Sequence, residues 1–260
     1  MILKRSNDDT SYMMAVSDVM SGLMFIFIIT LAIFVLDFLS ASDEQAIKYA
    51  ELENYTKSLK GNYAARSKML DNIRDSLLEL DIEVNIDLEH GVLRLNENAI
   101  RFNTGEADLN QVQVERLGVV AEVLAAILPC YGTNPPIDEN SGCVADTQGK
   151  IDSIFVEGHT DNVPISGRLA EKYQDNWVLS AHRAMFTYRE VAKKEPILVG
   201  MKNSNNQPVI SVSGYGDGRP VPEHEYDTPT SDPTNRRIDF RFIMSPPSIT
   251  EAEAALEGNF

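Results

Sequence analysis

Residues 19–36 read VMSGLMFIFIITLAIFVL, an unbroken run without a charge, and Asp18 stands at its mouth. At about 1.5 Å per residue, a helix over residues 13–38 covers the roughly 30 Å hydrocarbon core of a bilayer with some tilt. An ionised Asp in hydrocarbon costs about 2.5–3.5 kcal/mol on insertion scales, so such a group faces other protein or a watery path and marks ion or proton movement. A blander reading also holds: near the N-terminal end of the run, the carboxylate simply favours the positive end of the helix dipole. Ser17, Ser21 and Gly22 flank Asp18, with Ser21 and Gly22 three and four residues on, hence on its face. Small residues there let a second helix approach closely enough to enclose the carboxyl group. The hydroxyls of Ser17, Ser21 and Thr30 suit a hydrated path for either a proton or sodium.

A cleaved signal peptide is the alternative to an anchor, since Lys4 and Arg5 precede the run and Ser40-Ala41-Ser42 offers small residues for a peptidase. Signal cores have about 7–15 apolar residues, whereas this run is longer and carries an acid at its start, which favours an uncleaved anchor. Beyond it, the remainder of the 260 residues suffices for one soluble domain. A net charge of −16 with no basic run argues against nucleic-acid partners.

Cys130 and Cys143 bracket a stretch rich in Gly, Pro and Asn. They suit a small disulfide ring in an oxidising compartment, contributing about 3 kcal/mol in the chain-entropy picture, with two buried thiols as the alternative. His90, His159, His182 and His224 have no ligand spacing with them, so no metal and no cofactor is expected. Residues 43–80 show two amphipathic helical patterns, with Gly61-Asn62 expected to interrupt them, as a stalk or plug too polar to fold alone. After Asp81 strand patterns alternate with helices. IEVNIDL and GVLRLNENAI flank a His90-Gly91 turn, a helix follows around Leu117 to Leu128, and then come IDSIFVEGH, a helix over residues 179–193, PVISVSGYG and RRIDFRFI. That order predicts an α+β sandwich with helices over one mixed sheet. Gly158, Gly214 and Gly216 are expected to permit tight turns, since no phosphate-cradling glycine motif opens a helix.

Four motifs then occur in order: FVEGHTDNVP (155–164), NWVLSAHRA (176–184), VSGYGDGRPV (212–221) and NRRIDFRF (235–242). Together they resemble the OmpA-like peptidoglycan-binding domain, over roughly residues 91–244. Joined to SDVMSGLMFIFII, the whole chain resembles MotB-type stator subunits of ion-driven bacterial motors. The resemblance implies domains at 1–12 (cytoplasmic tail), 13–39 (membrane helix), 40–80 (linker, plug or stalk), 81–245 (OmpA-like) and 246–260 (tail).

The same resemblance implies that Asp161 and Arg183 hold the diaminopimelate of the wall stem peptide, whose ammonium and carboxylate call for an acid and a planar bidentate fork. Asn176, Leu179, Asn235 and Arg236 match neighbouring motif positions and would shape the cleft. Asp18 would carry the translocated ion in a dimer of this chain inside a ring of MotA- or ZorA-like subunits. The chain would be single-pass in the bacterial inner membrane, with its N-terminus cytoplasmic and its folded domain periplasmic. DDTSYMMAVSD before the run holds Tyr12 and no Trp, unlike flagellar members. That feature, the long helical region after the span and the Cys-bracketed insertion bring the chain closest to ZorB of the Zorya anti-phage motor. A flagellar MotB subunit and a passive wall tether stay open. No enzymatic role is expected, because Ser180 and His182 would lie on different faces of one helix.

Overall fold

The computed structural model describes residues 7–96, 99–133, 143 and 147–246, with side chains from Ser11 onward. Of the expected tails at 1–12 and 246–260, residues 1–6 and 247–260 lie outside these residues, as does most of the Cys-bracketed insertion. The chain divides into two compact units, one ending at Lys57 and one comprising Ser58–Pro247.

Helix α1 (Asn7–Leu78) contributes to both. In the first unit its apolar side chains are exposed, Val19, Phe25 and Phe27 by more than half, and Phe34 and Phe38 stack with ring centroids 6.5 Å apart. This is the one helix among the described residues long and apolar enough to cross a membrane by length and composition. Thr30 turns its hydroxyl back onto the carbonyls of Ile26 and Phe27 at 3.0 and 2.9 Å, which satisfies it inside the helix. Past the run, Lys48 and Glu44 form an i,i+4 pair at 2.6 Å.

Gly61-Asn62 does not break α1, contrary to the sequence expectation. A helix-interior Gly costs only about 1 kcal/mol against Ala, and neighbouring burial outweighs it. Met69, Leu70, Ile73 and Leu77 follow at helical spacing and are fully buried in the core of the second unit. The boundary expected at residue 81 therefore moves back to Ser58, and the last turns of the supposed stalk are part of the folded domain.

Among its described residues that domain holds five strands: β1 (Val84–Asp87), β2 (Val92–Leu95), β3 (Ile151–Gly158), β4 (Ile210–Gly214) and β5 (Ile238–Met244). Their order is β1-β2-β5-β3-β4, with β3 and β4 parallel and the other pairs antiparallel. The β1–β2 hairpin turns at Gly91, whose φ of 67° suits glycine. Helices α2 (Gln111–Ile127), α3 (Arg168–Tyr173), α4 (Asn176–Lys194) and α5 (Pro196–Gly200) complete the chain, with a 3-10 turn at Leu128–Tyr131. The parallel β3–β4 pair needs a long crossover, and α3 to α5 supply it. The fold is thus the α+β sandwich with a mixed sheet that strand and helix patterning predicted. Alternation along the strands sends Ile154, Val156, Leu93, Phe240 and Phe242 into the core with Leu117, Val120 and Ala184 of the helices. The opposite face receives Arg94, Glu157, Asp239 and Arg241. Cys130 and Cys143 are joined by a disulfide, their Cα atoms 5.1 Å apart.

Candidate functional site

The site is organised by how closely α4 approaches the sheet. Gly158 and Gly214 face each other across the parallel β3–β4 ladder. A Cβ on Gly158 would run into the Ser180 carbonyl oxygen, and one on Gly214 would lie 2.5 Å from the Ala181 nitrogen. These two glycines therefore serve helix–sheet packing rather than turns, a correction to the sequence reading; Gly216, at φ 54°, is the turn residue. Ser180 accepts from the Gly216 amide at 2.8 Å and donates to the Trp177 carbonyl at 2.8 Å, while His182 is exposed, its ring edge-on to Tyr173.

One turn further, Arg183 lies on the buried stripe of α4 with Asn176, Leu179, Ser180 and Thr187. Its guanidinium is completely covered and donates to the carbonyls of Glu106 (2.9 Å), His159 (3.0 Å) and Asn103 (3.1 Å). Burial, and then the neighbouring Arg236, lower its pKa to about 10 against the opposing pull of Asp161. Each guanidinium nitrogen donates to the protein's own backbone, which ties the 103–106 loop to the end of β3. The position was readable: residue 183 falls three and four residues after Ser180 and Leu179, on the inward face.

The guanidinium that meets Asp161 belongs to Arg236, at 2.7 Å between Nη1 and Oδ2, with both side chains almost wholly buried. Arg236 also donates to the Phe102 carbonyl and the Ser231 hydroxyl. Asn176 holds the loop from below, donating to the carbonyls of Asp161 (3.3 Å) and Val163 (3.1 Å). Asn235 receives the Val221 amide and donates to the His224 carbonyl, fixing the opposite wall. Leu179 packs with Ala107 and Tyr173 in a small apolar cluster. The structure thus brings Asp161, Arg183 and Arg236 together, with Asn176, Asn235 and Leu179 as their frame. Asp18, Ser17 and Ser21 lie in the first unit, exposed in the isolated chain.

Sequence reading missed a second charged assembly on the outer sheet face. Arg241 grips Glu157 with two hydrogen bonds, 2.7 and 2.9 Å, and Arg94 and Arg237 both pair with Asp239. The signal was present in RRIDFRF, where charged residues alternate with apolar ones at strand period. His159 sits among them, 1% exposed, with neither ring nitrogen hydrogen-bonded. Its Nε2 is 3.5 Å from Asp239 Oδ2 but misaligned for a bond, so proximity here is not pairing. Burial above all, then Arg237, Arg94, Arg219 and Arg241, push its pKa down to about 2, which keeps the imidazole neutral. Glu157, His159 and Asp239 bring ligand atoms within 4.8 Å of one another, as a metal site would. Guanidinium groups already hold both carboxylates, and a divalent cation would have to displace them.

A pocket of about 240 Å³ opens beside the Asp161 loop, walled by Thr160, Asn162, Asp217, Pro220, Tyr226 and Asn235 among others. Asp217, Glu225 and Asp227 make it acidic, with His224 as the one basic side chain in the lining. Burial favours protonation of the adjoining Asp232, yet hydrogen bonds from His224, Thr234 and Tyr226 outweigh it and hold the carboxyl below its ordinary pKa.

No protein-family model matches the chain. Over 174 residues, 67% of its length, it is 26% identical to Motility protein B of Bacillus subtilis (strain 168). Over 167 residues it is 29% identical to Uncharacterized protein YtxE of the same organism. The matched stretches cover 53% and 54% of those proteins, so the chain spans about half the length of the curated relatives it matches. Among solved structures it is similar to a putative MotB like protein from Desulfovibrio vulgaris, with 18% identity over 70% of this chain and 96% of that one, at a TM-score of 0.47. Two thirds of the chain is thus similar in sequence to a MotB protein.

Proposed function

We propose that this chain is the wall-anchored subunit of an ion-driven motor in the bacterial inner membrane, with Asp18 carrying the translocated proton or cation. The observation that carries the reading is an aspartate at the start of the one apolar membrane-length helix among the described residues, in a chain two thirds of which is similar to Motility protein B. In this reading the folded domain grips the peptide stems of peptidoglycan in the periplasm, and the N-terminus is cytoplasmic. Two copies sit inside a ring of MotA-like subunits. Ser17, Ser21 and Thr30 line the approach to Asp18, whose carboxyl alternates between neutralised and free as it meets successive partner interfaces. One charge crossing 100 mV supplies about 2.3 kcal/mol, comparable with the cost of the bare carboxylate in the helix. The chain performs no catalytic step of its own.

Within this class we assign the chain to the Zorya type of defence motor. The absence of Trp before Asp18 and the Cys130–Cys143 insertion support that assignment. Similarity to Motility protein B keeps the flagellar role as the second reading. The test is Asp18→Asn, which preserves shape and removes titration. A host lacking the native gene should regain phage resistance (or swimming, for the flagellar role) with the wild-type chain but not with the variant. Both proteins should be recovered equally with the membrane partner and with purified sacculi. A fully active Asp18→Asn variant would leave only a passive tether.

A further inference from the structure

Trp177 is the only tryptophan of the chain, and it stands 56% exposed on the first turn of α4. It directly follows Asn176, whose side chain holds the Asp161 loop. An indole left in solvent beside a binding loop is an unusual placement, since buried area is what such a side chain has to offer. Its backbone is tied to the glycine turn: the Trp177 carbonyl accepts from Ser180, and the same hydroxyl accepts from Gly216. Glycines stand beside the ring at two places. A Cβ on Gly216 would lie 3.4 Å from Trp177 Cδ1, and one on Gly218 would lie 3.7 Å from Cζ2. Between these glycines Asp217 forms the near wall of the acidic 240 Å³ pocket.

We infer that Trp177, with the adjoining Asp217 pocket, is a saccharide platform that takes a neutral N-acetylhexosamine unit of the glycan strand. The inference rests on the wall-binding reading and extends it from the peptide stem to the sugar chain. One face of a pyranose ring presents polarised C–H groups, which match the electron-rich face of an indole. The sugar hydroxyls then donate to the carboxylates of Asp217 and Asp227, which line the pocket. Lining acids repel a carboxylate or phosphate ligand, so a neutral sugar fits where an anionic group does not.

The full chain in detergent is titrated with a disaccharide–tripeptide muropeptide and with the free tripeptide, reading Trp177 fluorescence for wild type and calorimetry for all variants. The muropeptide should change the wild-type fluorescence, and Trp177→Ala should bind it roughly tenfold more weakly while binding the free tripeptide unchanged. Trp177→Tyr, which keeps an aromatic face, should restore most of the loss. Equal muropeptide affinity for wild type and Trp177→Ala overturns the platform and leaves stem-peptide binding intact. A parallel loss of tripeptide affinity overturns it too, by showing a general disturbance of the loop. Absence of binding to either probe by the wild type overturns the wall-binding reading and the platform together.

Discussion

Two side chains show what enclosure does to function at the residue scale. Arg183 lies where a ligand fork was expected, and each of its three guanidinium nitrogens donates to a backbone carbonyl, tying the 103–106 loop to the end of β3. The motif was legible; the direction of the side chain required noticing the inward stripe of α4 as well. His159 was legible only as a motif letter, because its surroundings come from Arg94, Arg219, Arg237 and Arg241, far away in sequence. Its folded pKa is depressed from the ordinary 6.5 to about 2. Below pH 6.5 the unfolded chain therefore takes up a proton that the folded chain refuses. Stability falls as pH falls, by about 1.4 kcal/mol per unit from this group within that window, with no contribution above it. Urea unfolding at pH 7.5 and 5.5 should show a smaller loss on acidification for His159→Gln than for wild type. Equal losses would mean that the imidazole is not held neutral.

At the scale of elements, alternation and helical period located β1 to β5, α2 and α4, because each buries one face and exposes the other. The short helices α3 and α5 and the 3-10 turn escaped, since four to six residues are too few to show a period. The break assumed at Gly61 illustrates a different failure: local propensity yielded to the burial of Met69, Leu70, Ile73 and Leu77. Helix α1 accordingly holds two kinds of apolar residue. Leu70→Ala should destabilise the folded unit by about 2–5 kcal/mol, through lost burial and the cavity left behind. Leu52→Ala, at an exposed position, should change it by no more than about 0.5 kcal/mol. Denaturant unfolding followed by Trp177 fluorescence distinguishes them, and similar values for the two would contradict the placement of the domain boundary at Ser58.

For the molecule as a whole, the apolar run and the ordered motifs were readable before any coordinates, because membrane length and motif order are properties of sequence alone. The exchange of partners at the site was not, since Asp161 and Arg236 are separated by 75 positions and meet only through the fold. A single chain thus pairs a membrane-length helix bearing Asp18 with a domain whose charged loops are held by Arg183 and Arg236. The proposal that this pairing makes a motor subunit requires the carboxyl group to be enclosed by other helices in the assembly. The most direct measurement is an experimental structure of the chain purified with its membrane partner, read at Asp18. The carboxyl group should be packed against helices of the surrounding subunits, within reach of Ser17 or Ser21. A carboxyl group open to bulk water and remote from every neighbouring subunit would contradict the motor and leave an anchored wall-binding protein.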